Sequence, residues 1–87
     1  MSWRDTSERQ PGEWHAEPNR LSIEGNALRL TVHKLSRDGS WWMQGHGMDF
    51  SFPLKAKSAS EAKLEAIGLA QERLERMMAD LNDMKSA

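Results

Sequence analysis

The sequence predicts an α+β domain, a three- to four-stranded antiparallel meander packed against one long C-terminal helix. Three observations predict it. Apolar and polar residues alternate through much of residues 21–54, the period of a half-buried strand. Gly25-Asn26 and Asp38-Gly39 punctuate that alternation as hairpin turns. From Ser58 the period changes to that of a helix and holds to Met84.

Eighty-seven residues make one domain with room for one small core. With no cysteine, there is neither a disulfide nor a thiolate metal site. No run is apolar enough for a membrane span, and the polar first ten residues lack the apolar stretch of a signal peptide. A cytoplasmic protein with no membrane partner is the expectation. Twelve basic residues against thirteen acidic ones give no overall drive towards nucleic acid. Residues 21–57 carry five basic and three acidic groups, whereas residues 58–87 carry four and six. The sheet is therefore mildly positive and the helix mildly negative.

Residues 1–19 read as a flexible N-terminal arm, because Pro11, Gly12 and Pro18 interrupt regular structure. Trp3 and Trp14 either fold back onto the domain or are presented to a partner. Residues 20–87 form the domain. Its first strand, about 20–24, places Leu21 and Ile23 on one face. A two-residue Gly25-Asn26 loop pairs Ile23 with Leu28 and Leu21 with Leu30 in a second strand, about 27–35. A two-residue Asp38-Gly39 loop pairs Leu35 with Trp42 and His33 with Gln44, which sends Trp41 and Met43 of a third strand (about 40–45) to the core. A turn at His46-Gly47 pairs Met43 with Phe50 and Trp41 with Phe52. In the last strand, about 48–54, Pro53 cannot donate to a ladder and so belongs at an edge.

Ser58 and Glu61 have the spacing of a capping box at the start of a helix over about 58–84. Leu64, Ile67, Ala70, Leu74, Met78 and Leu81 form its apolar stripe, with Met77 and Met84 at the edge. The stripe predicts that Ile67 and Leu74 meet the sheet, and that Leu69 points outward among charges as a contact point. About 25 helical residues span roughly 38 Å, whereas strands of six span about 20 Å. The helix therefore overhangs the sheet. Met77, Met78, Leu81 and Met84 lie in the overhang, to be covered by the arm, by the same helix of a second subunit, or by a target.

No catalytic constellation emerges. His15, His33 and His46 lack the spacing of a zinc site, and Asp49 beside His46 is a single carboxylate. Ser40, Ser51 and Ser58 have turn, strand and cap roles. Gly45 and Gly47 bracket a turn without opening a helix, so they form no phosphate loop. The expectation is a non-enzyme with no cofactor, no metal and no catalytic residue. The candidate protein-binding residues are Trp42, Leu35, Arg29 and His33 on the open sheet face, with Leu69, Met77, Met78 and Met84 on the helix. The alternative is nucleic-acid binding, with Arg29, Lys34, Arg37, Lys55 and Lys57 on phosphates and Trp42 stacking on a base.

The run Lys57-Ser58-Ala59-Ser60-Glu61-Ala62-Lys63 resembles the last strand-to-helix junction of double-stranded-RNA-binding domains. Ala59 and Ser60 stand where that family has phosphate-binding lysines. Gly39-Ser40-Trp41 with Ser60-Glu61-Ala62 is similar to the three-stranded DNA-binding modules of integrase arms. In size and layout the chain resembles small phage- and prophage-encoded accessory proteins, anti-CRISPR inhibitors among them. That resemblance implies a protein that docks on a host protein in the host cytoplasm and inhibits or modulates it. The remaining alternative is a homodimeric structural subunit joined through the C-terminal helix.

Overall fold

The computed structural model describes residues 2–13, 16–47 and 50–86. Trp14, His15, Met48 and Asp49 lie outside them. Strands β1 (Arg4–Asp5), β2 (Arg20–Glu24), β3 (Arg29–Lys34), β4 (Trp41–His46) and β5 (Phe50–Pro53) form one antiparallel sheet in that order. Helix α1 (Ala59–Lys85) crosses one face over β3 and β4. The strand count is five, because the expected flexible arm supplies β1. Arg4 pairs with Ser22 and Asp5 with Leu21. The Thr6 N–H donates to Arg20 O at 3.0 Å, and Ser7 Oγ accepts from the N–H groups of Asn19 and Arg20. Trp3 packs, partly buried, against the core. An exposed Arg9–Asp5 pair at 2.8 Å, with Ser7, holds the Asp5 carboxyl below the usual carboxylate range.

All three sequence-predicted registers are displaced by two residues. Leu21 pairs with Val32 and Ile23 with Leu30, because residues 25–28 make a four-residue loop closed by Gly25 N–H on Leu28 O. His33 pairs with Trp42 rather than Gln44, and Leu35 meets Ser40 across a loop of residues 36–39. There Gly39 takes a positive φ of 73°, and Asp38 Oδ1 accepts from the Ser40 N–H and hydroxyl. Phe52 pairs with Met43, and Phe50 with Gly45. A shift of two keeps every side chain on its face, so the predicted sheet core survives with different neighbours. Gly45 is required where it stands. A Cβ there would lie 2.6 Å from the Phe50 ring, which covers it and stacks on Phe52 at 5.3 Å between centroids.

The helix meets the sheet on a face that shares only Ala70 with the predicted stripe. Ala62, Ala66 and Ala70 are buried, each one turn from the next. Ile67 and Leu74 are each 43 % exposed, and Leu64 is 75 % exposed. The large side chains of this interface come from the sheet. Trp41, Met43 and Phe50 fill the layer, with Val32 and Met43 wholly enclosed. Alanines opposite them preserve close packing, which a second row of large residues would overfill. Leu69 also departs from expectation, for it packs partly buried against the core, beside Phe52.

Local polar contacts fix where the helix begins. Ser58 Oγ accepts the Glu61 N–H at 3.2 Å. The Glu61 carboxylate reaches the Lys57 N–H, one residue before the cap, at 2.8 Å. Glu65 accepts from the N–H groups of Lys55 and Ala56 at 2.9–3.0 Å. Two carboxylates on the helix thereby hold three amides of the β5–α1 connection.

Candidate protein-binding site

Beyond Ala70, α1 buries none of its described residues. Leu74, Met77, Met78, Leu81 and Met84 are 43 to 68 % exposed along this half. Scattered exposed apolar residues are ordinary, but a contiguous row of them marks a surface awaiting contact. Three of the predicted binding residues, Met77, Met78 and Met84, lie here together. Their unbranched thioether side chains suit an adaptable contact. Leu69 does not join them, since it belongs to the core edge.

The open sheet face gathers a second set. His33 and Trp42 are direct cross-strand neighbours, both half-buried. Burial, followed by the charge of Arg20, lowers the His33 pKa from 6.5. Leu35 extends this set towards the segment holding Arg9 and Asn19, with which it lines a shallow cleft. Arg29 lies apart from these residues, at the opposite end of β3. It lines a cavity of about 350 Å³ with Arg4, Arg20 and Glu24 over Ser22 and Thr31. Thr31 is buried and shares a 3.0 Å hydrogen bond with Ser22. Arg4 and Arg20 are additions to the sequence-predicted set. Arg20 precedes Leu21 in the alternating pattern and was legible as an open-face residue. Arg4 reaches that face only because β1 joins the sheet.

The structure does not assemble the proposed nucleic-acid residues into one surface. Arg29 and Lys34 stand about 17 Å apart along β3. Arg37 is exposed in the β3–β4 loop, while Lys55 and Lys57 are on the connection before α1. Lys34 and Lys57 share a cleft with Glu13 and Glu17, whose charges oppose theirs. Among the described residues, no three His, Asp or Glu side chains gather closely enough to hold a metal ion, and no helix is long and apolar enough to cross a membrane.

Comparison with protein-family models, curated proteins and solved structures finds no match for this chain.

Proposed function

We propose that this chain is a non-enzymatic protein-binding module of the accessory type, acting by docking through the overhanging half of α1. One observation carries the reading: residues 71–85 hold a helix with an apolar row that none of the described residues of the domain buries. Isolated helices of about 15 residues are marginal in water, so a contact that covers this row also stabilises the element presenting it. The accessible surface agrees in size. A compact monomer of 9.9 kDa exposes about 5,200 Å², and this chain exposes 6664 Å². The excess of about 1,500 Å² exceeds the roughly 800 Å² per partner of a standard interface.

A photo-crosslinking residue placed at Met78 tests this reading against the same residue placed at Ser51, on the open face. Protein adducts from position 78 support docking by the helix. Adducts from position 51 alone overturn it and move the site to the sheet. Nucleic-acid binding is the second reading, favoured by the cavity that Arg4, Arg20 and Arg29 share. It predicts affinity that falls steeply with salt and weakens in Arg20→Gln.

A further inference from the structure

We infer that the occupant of the α1 row is a second copy of this chain, its α1 lying antiparallel to the first. This deepens the docking reading above and rests on it. Ile67, Ala70, Leu74, Met77, Leu81 and Met84 alternate three and four residues apart, the spacing of a coiled-coil seam. The spacing continues from the covered half of the helix into the overhang. Neither strand pairing nor the domain core accounts for it. Ala70 is closed off by its own sheet, whereas Ile67, Leu74, Met77, Leu81 and Met84 remain 43 to 68 % exposed, so most of the seam has no neighbour among the described residues.

The row is complementary to its own reverse. When one α1 is laid antiparallel on another about a two-fold axis between Glu75 and Arg76, exposed seam residues meet exposed seam residues. Ile67 meets Met84 of the second copy, and Leu74 meets Met77. The same axis sets Arg73 opposite Asp80 of the second copy, and Asp80 opposite Arg73, giving two opposite-charge pairs along one flank. It also lays the Lys85 stem along Leu64, the most exposed of the large apolar residues. The parallel arrangement loses the arginine pairing, because Arg73 then faces Met78. Antiparallel helices also oppose their dipoles favourably.

The domains leave room for this arrangement. The two Ala66 residues stand about 29 Å apart along the helix pair, and a five-stranded sheet is about 24 Å across. Each overhang then lies beside the sheet-bearing half of its neighbour, and the surface excess of about 1,500 Å² is the area available to bury.

Sedimentation equilibrium of the full chain tests the inference, using Arg73→Asp, Asp80→Arg, the double variant, and an equal mixture of the two single variants. Both changes are on exposed positions, and circular dichroism of each variant confirms that it is folded. The expected parent mass is twice 9.9 kDa. Each single variant weakens the dimer roughly tenfold, by turning two attractions into repulsions. The double variant and the mixture recover the parent affinity. A parent that stays monomeric at about 100 μM, near the weak end of specific association, overturns the inference. A dimer weakened by Asp80→Arg alone, or by neither change, overturns the antiparallel register. The docking reading is tested separately, because protein adducts from position 78 to another protein would survive either failure.

Discussion

Residues 59–70 and 71–85 belong to one helix, yet the first half buries three alanines and the second buries none of its described residues. The half with the larger apolar side chains is the one facing solvent. Hydrophobicity alone therefore does not identify the face that meets the domain. The sheet already supplies Trp41, Met43 and Phe50, and what it needs opposite them is a surface without bulk. The large side chains of the helix, Leu64 and Ile67 in the first half and Leu74, Met77, Met78, Leu81 and Met84 in the second, stay outside that layer.

The same chemical change made in both halves gives the largest contrast. Ala66→Leu forces a larger side chain into a closed layer and is expected to cost about 3 kcal/mol, at the upper end of overpacking. Ala79→Leu, on an exposed position, is expected to change stability by less than about 0.5 kcal/mol. Urea titration of both variants checks this, and equal costs would erase the distinction between the halves. Next comes Glu65→Ala, which leaves the Lys55 and Ala56 amides without their carboxylate. A loss of about 2 kcal/mol is expected, in the range for hydrogen bonds to a charged group. Glu72→Ala, in the uncovered half, serves as its near-neutral control. Ser58→Ala follows at about 1 kcal/mol, the usual worth of an N-cap, and is read in the same titration.

Most of the fold was legible in the sequence because strand faces depend on parity. Leu21, Leu30, Val32, Trp41, Met43 and Phe50 take the predicted face although all three registers moved by two. The loops moved them. Gly25-Asn26 and Asp38-Gly39 mark turns correctly, but the loops run over residues 25–28 and 36–39 and not over two residues each. β1 was not legible, since two residues without an apolar repeat carry no periodic signal. The helix face was misread because the apolar stripe outweighed the alanine row. That row, Ala62-x-x-x-Ala66-x-x-x-Ala70, was the available signal for close packing on a sheet of large side chains. The exposed methionines of the candidate site were legible from helix length alone.

The smallest expected effect concerns the sheet rather than the helix. His33 has its pKa lowered from 6.5 by burial, so the unfolded chain binds its proton more readily than the folded one. Stability contributed by neutral His33 is fully present above 6.5 and is lost as pH falls towards the folded value. A His33→Gln variant is expected to flatten that part of the stability profile without altering the mass of the assembly. If the mass does change, the open face and the helix are coupled, and the contrast between the halves of α1 extends to the whole molecule.

The edges of the sheet bear on growth at high concentration. β1 is two residues long, and β5 ends on Pro53, which withholds an N–H. Strand-by-strand polymerisation has little purchase at either margin. A two-fold contact through α1 uses the same patch on both chains and so closes on itself. If the proposed two-fold contact forms, crowding this protein yields discrete particles of fixed stoichiometry instead of filaments, and the mass read from light scattering reaches a plateau as concentration rises.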